Sequence, residues 1–185
     1  GRGLGDGISL VLSTLYDHAG WLAGLVFGGT YSAIVITGIH HSFHAIETGL
    51  LTNPAIAVNF LLPIWAMSNV AQGGACLAVY FKTKDAKLKA ITVPAGASCL
   101  LGITEAAIFG VNLRYGKPFL AGLFGGALGG AYVVASKVGM TAVGLTGLPG
   151  LAIVQPASLL NYGIGMVIAF GAAFTASTLL KYKLD

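Results

Sequence analysis

This sequence is short of charge. Ten of its 185 residues are Lys or Arg and six are Asp or Glu, 9% in all, where a soluble domain carries about a quarter. Too few ionised side chains remain to coat a solvated surface, which excludes a water-soluble globule. With 56% apolar residues and a mean hydropathy of +0.84, disorder is excluded too. Cysteine is nearly absent. Cys76 and Cys99 stand in apolar surroundings without CxxC spacing, so they read as reduced packing residues and not as a disulfide scaffold. A cleavable signal is not expected either, because Arg2 and Asp6 precede only a moderately apolar stretch. The opening GRGLGDGISL has no initiator Met and reads as the start of a piece of a longer chain. What the sequence has in quantity is apolar side chains and 28 glycines with no collagen-like period. Those glycines read as packing and bending devices inside apolar helices.

A net charge of +4 would suggest nucleic acid if the basic residues were spread over one face. They cluster at the ends of apolar runs instead: Lys82, Lys84, Lys87 and Lys89; Arg114 and Lys117; Lys181 and Lys183. That is the positive-inside pattern of a membrane protein, and no nucleic-acid partner is expected. Uncharged stretches long enough for a helix of about 20 residues predict at least four spans: Ala19 to Ile39, Ala57 to Phe81, Pro118 to Ser136 and Ala157 to Leu180. Residues 2–18 read as an amphipathic helix at the membrane edge, with Ile8, Val11, Leu12 and Leu15 at helical spacing. The third span carries Gly122, Gly126 and Gly130, plus Gly125 and Gly129. This small-xxx-small spacing permits close helix contact, read here as static packing.

Two segments fit neither a span nor an ordinary loop. Residues 40–54 carry three histidines and a glutamate between apolar runs. Residues 90–114 are apolar but hold Pro94, Gly96, Gly102 and Glu105, with basic residues on both sides. Positive flanks on both sides favour a segment that enters and returns, so both read as re-entrant helical hairpins. Broken backbone at membrane depth is tolerated only against protein or a watery cavity. With the termini and the Lys82 to Lys89 loop cytoplasmic, the two hairpins enter from opposite sides and meet near the midplane, as in many transporters. Lys137 then falls on the outer side.

Ionisable groups inside apolar segments are functional candidates by default. Here they are His40, His41, His44, Glu47 and Glu105. In HHSFHAIE, helical spacing places His40, His44 and Glu47 on one face. A metal site there lacks an identifiable fourth ligand, and none is expected. Hydrogen bonding to a polar solute, or mutual bonding that caps the hairpin, are the other readings. Glu105, beside Thr104 at a break, could accept hydrogen bonds from substrate hydroxyls or orient an attacking one. Pairing with Arg114 purely to hold the hairpin is its structural alternative. Arg114 itself reads as a cytoplasmic anchor compatible with a phosphate clamp. Trp65, Asn69, Gln72, Gln155 and Asn161 are further polar or aromatic contributors, each more often structural than contacting.

GITEAAIFGVNLRYGKPF, residues 102–119, resembles the signature of the membrane IIC component of the bacterial phosphoenolpyruvate-dependent sugar phosphotransferase system, in the glucose, sucrose and β-glucoside superfamily. Against the form GITEPAIYGVNL, Ala106 stands for Pro and Phe109 for Tyr. GIHHSFHAIE, Gly38 to Glu47, resembles the matching His-containing segment, and both variants are most similar to the sucrose-specific branch. The resemblance implies an all-α integral membrane protein of the bacterial inner membrane. Residues 1–185 would form its substrate-binding transport domain, with a dimerising scaffold half preceding them. It implies that His40 and Glu105 hold the sugar, with Thr104, His41, Gly102 and Asn112 around them and His44, Glu47 and Arg114 at the margin. His40 or Glu105 would orient the hydroxyl. The phosphoryl group would come from a phosphocysteine on a IIB partner, and since Cys76 and Cys99 lie outside any IIB motif, this chain would carry none. No cofactor is implied. The substrate would be a disaccharide, most naturally sucrose, with trehalose, a β-glucoside or N-acetylmuramic acid as alternatives. An ion- or proton-coupled secondary transporter, or a sensing membrane protein, are the rival classes.

Overall fold

The computed structural model describes residues 20–184, and among these the fold is helical, with no strand beyond the isolated bridges Asn59–Met140 and Met140–Val154. The edge helix expected at 2–18 lies outside the described residues. Helix α1 is Trp21–Thr37. It ends at Gly38, whose left-handed backbone caps it, and a 3-10 turn Ile39–Ser42 leads into α2, Phe43–Thr52. The bend between α1 and the segment Ile39–Thr52 is 114°. Helix α3 is Leu61–Lys82 and α4 is Ala86–Leu100, capped by the Asp85 side chain, which accepts from the Lys87 amide at 2.9 Å. Next come a short α5, Glu105–Ala107, a π-turn, Ile108–Asn112, and α6, Leu113–Tyr115. Helix α7 is Lys117–Ala135. Two 3-10 turns, Leu148–Ala152 and Pro156–Ser158, precede α8, Leu159–Leu179.

Helix α3 is the axis of the molecule. From Leu61 to Cys76 every residue is buried, and α1, α4, α7 and α8 pack around it. A helix enclosed on all sides meets protein and not lipid, so Ser68, Asn69 and Gln72 can sit within it where partners exist. Ser68 shares a 2.8 Å hydrogen bond with Ser32 of α1. These polar residues also explain a difference in span count. By length and composition, Lys117–Ala135 and Pro156–Leu179 are membrane-capable among the described residues, with a third if the bent pair counts as one span. Helix α3 has the length, about 33 Å at 1.5 Å per residue, but its Asn69 and Gln72 dilute its hydropathy.

Glycine allows the helices to approach. Gly24 and Gly28 of α1 face Gly126 and Gly130 of α7, and a Cβ on any of the four would meet a backbone carbonyl of the partner helix. On the other side of α7, Gly125 lies against the Ala169 carbonyl and Ala173 of α8, and Gly129 against the Ala169 side chain. The two glycine rows of α7 thus serve two neighbours at once, one on each side.

Local breaks set the helix boundaries within residues 40–54 and 90–114. In the first segment the helix proper is Phe43–Thr52 and ends at Asn53, before Pro54. In the second, α4 runs to Leu100, a turn containing Gly102 reverses the chain, and the following helices fold back. Ala107 and Val111 join Ala95 and Cys99 in one buried apolar cluster, which also takes in Cys76 and Val79 of α3. Both cysteines are free and buried there. At 15 residues, α4 reaches about 22 Å, short of the roughly 30 Å of a bilayer core.

Candidate functional site

The 3-10 turn, α2, one face of α3 and the turn after α4 enclose a polar cavity. Its lining includes His40, His41, His44, Glu47, Gly102, Thr104 and Glu105, brought together from segments some 60 positions apart in sequence. The cavity measures ≈ 170 Å³, roughly tenfold what one water needs, so it has room for a polar solute. Leu62, Trp65 and Asn69, at helical spacing on α3, form one wall. Tyr31 and Val35 of α1 form another, and Gly144 and Thr146 close it from the long α7–α8 connection.

The buried side is an aromatic stack over a carboxylate. Tyr31 stacks on Trp65 with ring centroids 4.4 Å apart and planes 15° from parallel, and Phe43 tilts against Trp65 at 5.1 Å. The Trp65 indole N–H donates to Glu47 Oε1 at 3.0 Å, and Asn59 Nδ2 donates to Glu47 Oε2 at 3.1 Å. Asn59 also caps α3, its Oδ1 accepting from the amides of Leu61 and Leu62, and its Nδ2 reaches the Ala142 carbonyl at 3.2 Å. Glu47 is therefore a buried anchor at the cavity margin, 1% exposed, and its carboxylate is already engaged.

The histidines do not share a single helical face. His40 and His41 lie in the 3-10 turn and His44 in α2, so the register changes between them. The rings form a short row, His40 to His41 at 4.0 Å and His41 to His44 at 6.1 Å, and His44 Nδ1 stands 3.9 Å from Glu47 Oε2. Among the described residues no group of three His, Cys, Asp or Glu converges as a metal ligand set. His40 Nδ1 is shielded and has no partner of hydrogen-bonding geometry among the described residues. Glu105 opens the first turn of α5 on the cavity side and is exposed, while the adjacent Thr104 is buried.

Gly102 lines the cavity through its backbone. Its φ of 86° suits glycine, and a Cβ there would overlap the Thr146 hydroxyl, so this residue lets the α4–α5 turn close against the α7–α8 connection. Two expected contacts lie elsewhere. Asn112 is fully buried away from the cavity, its Nδ2 donating to the main-chain carbonyl of Gln72 at 2.9 Å and to Gln72 Oε1 at 2.7 Å. The π-turn carries an extra residue per turn and rotates Asn112 off the face that Glu105 occupies. Arg114 lies outside the lining, with its guanidinium 5.4 Å from the Tyr115 ring, and no ion pair joins it to Glu105 among the described residues. Of the other named contributors, Gln72 is bound to Asn112, and Asn161 accepts from the Tyr132 hydroxyl at 3.2 Å. Tyr31, Gly144 and Thr146 had no signal in the sequence.

The fold and the site together define a helical protein with membrane-capable helices and a polar, aromatic-walled cavity among them. Residues 1–126 match the family model Phosphotransferase system, EIIC, and the chain belongs to that family. It is similar to the PTS system sucrose-specific EIIBC components of Salmonella typhimurium, 76% identical over the whole chain, and of Bacillus subtilis (strain 168), 59% identical. The PTS system trehalose-specific EIIBC component of Bacillus subtilis (strain 168) is 39% identical over 94% of the chain. The chain spans 41% of the length of the Salmonella relative, 40% of the Bacillus sucrose-specific one and 37% of the trehalose-specific one. No solved structure matches it.

Proposed function

We propose that this chain is the sugar-binding, transport part of a bacterial inner-membrane transporter that moves sucrose and presents it for phosphorylation by a IIB phosphocysteine. The single observation that carries this reading is the convergence of His40, Thr104 and Glu105 on one polar cavity, in a chain of the EIIC family. The names of its relatives favour sucrose, since the sucrose-specific components are 76% and 59% identical and the trehalose-specific one 39%.

In this reading His40 and Glu105 hold sugar hydroxyls and Glu105 orients the one that attacks phosphorus. The membrane part contributes position and exclusion of competing geometries, while the phosphoryl chemistry resides with IIB. The bent segment Ile39–Thr52 and the α4–α5 turn serve as two re-entrant hairpins meeting at the sugar. Helices α1, α3, α7 and α8 serve as four spans, both termini are cytoplasmic, and a preceding scaffold half forms the homodimer.

The test is Glu105→Gln in the intact protein reconstituted with IIB and a phosphoryl donor. Sucrose phosphorylation should fall by about 10²-fold or more, the scale of a positioned acid–base group. An unchanged rate would sink the role of Glu105. Uptake of unmodified sucrose driven by a proton gradient, with no phosphoryl donor present, would instead favour a secondary transporter.

A further inference from the structure

Asn69 and Thr146 lie 77 positions apart and meet at the cavity wall, where Asn69 Nδ2 donates to Thr146 Oγ1 at 3.0 Å. The direction of this bond has a chemical consequence. Thr146 acts as acceptor toward Asn69, which leaves its hydroxyl hydrogen free to donate. Asn69 acts as donor, which leaves Oδ1 free to accept. Among the described residues neither side chain has another hydrogen-bond partner. The pair is also held in place. Asn69 is 5% exposed, within the buried stretch of helix α3 from Leu61 to Cys76. Thr146 is pressed against Gly102 on one side, and its neighbour Gly147 accepts a 2.8 Å bond from the buried Tyr162 hydroxyl on the other.

A fixed donor beside a fixed acceptor reads a group that is both acceptor and donor, and a sugar hydroxyl is such a group. We propose that Asn69 and Thr146 form a specificity-determining subsite that recognises one substrate hydroxyl in both hydrogen-bonding roles, separate from the groups on His40 and Glu105. The proposal rests on the sugar-binding reading above. Its mechanism is positional: Thr146 donates to the hydroxyl oxygen while the hydroxyl hydrogen turns to Asn69 Oδ1. A substrate lacking that hydroxyl leaves both protein groups without partners inside a narrow cavity, which costs affinity beyond the lost bond.

The experiment measures binding of sucrose and a panel of monodeoxy-sucroses to the intact protein in detergent. In the wild type one deoxy position should bind about tenfold more weakly than sucrose, the scale of a single hydrogen bond with an orphaned partner. Thr146→Val keeps the side-chain shape and should weaken sucrose by a similar factor while losing discrimination at that one position. Thr146→Ser should retain it. Asn69→Asp provides a second variant, because a carboxylate can only accept: it draws the Thr146 hydroxyl hydrogen to itself and away from the substrate while still accepting from it, so the same discrimination should shrink. A wild type that binds sucrose, with Thr146→Val weakening every analogue equally or leaving every discrimination intact, would overturn the subsite alone. A wild type that binds no sugar would overturn the functional reading and this one with it.

Discussion

The indole N–H of Trp65 donates to a carboxylate oxygen of Glu47 at 3.0 Å, joining the axial helix α3 to the short helix α2 beneath the cavity. Asn59 takes the other oxygen at 3.1 Å. Because both oxygens accept from N–H donors, Glu47→Gln must turn an amide NH₂ against a donor whichever way it flips. The expected loss is about 1–3 kcal/mol, that of an unsatisfied buried polar group. Thermal unfolding followed by tryptophan fluorescence would check it; an unchanged midpoint would show that the carboxylate is not the anchor.

The glycine contacts between α1 and α7 distinguish packing from mere helix composition. Gly28→Ala or Gly126→Ala places a methyl against a backbone carbonyl of the other helix, which cannot move like a side-chain end. Each should destabilise by about 1–3 kcal/mol, as overpacked cores do. Gly163→Ala and Gly171→Ala on α8 meet nothing within 4 Å among the described residues and should be neutral or stabilise by about 0.5–1 kcal/mol through helix propensity. Comparing the four melting temperatures tests the α1–α7 interface; equal shifts would refute it.

Asn112 belongs to a buried amide pair with Gln72, so Asn112→Leu should act through structure. Gln72 Oε1 would lose its 2.7 Å donor and the π-turn its tie to α3. The expected result is a lower melting temperature with selectivity among deoxy-sugars unchanged, measured on the same panel as above. A selective loss for one sugar position would return Asn112 to the binding site.

Lys82 holds the end of α8. Its Nζ donates to the carbonyls of Ser177 at 3.1 Å, Thr178 at 3.0 Å and also Leu180, and lies 3.9 Å from the Tyr182 ring. A cation among the final carbonyls of a helix satisfies groups that have no intrahelical partner and complements the helix dipole. Lys82→Met should release residues 180–184 and lose about 1 kcal/mol. Limited proteolysis should then cut near Lys181 several-fold faster; an unchanged rate would mean the tail is held by Tyr182 and Ser177 alone.

Much of the fold was readable because hydropathy and charge act locally. The scarcity of charge pointed to a membrane protein. Lys117–Ala135 and Leu159–Leu179 follow the predicted spans within one or two residues, since a long apolar run bounded by Lys, Pro or Gly leaves few alternatives. Helix α3 was harder: its polar residues face protein, which only the surrounding helices disclose. Glu105, His40 and Thr104 were visible because an ionisable or polar group in an apolar segment stands out. Asn59 and Thr146 were not, because polar residues in loops are ordinary.

By itself, then, the sequence determined the class of molecule, the principal helices and the charged or imidazole-bearing candidates, all of which depend on a residue and its near neighbours. Tertiary structure decided which of those candidates share a space. It turned Glu47 into an anchor under Trp65 and rotated Asn112 away through a π-turn. It left Arg114 outside the cavity and brought Thr146 across 77 positions to Asn69. The physical reason is that a hydrogen-bond partner is chosen by distance and direction, and in this bundle both are set by how closely glycine lets the helices approach.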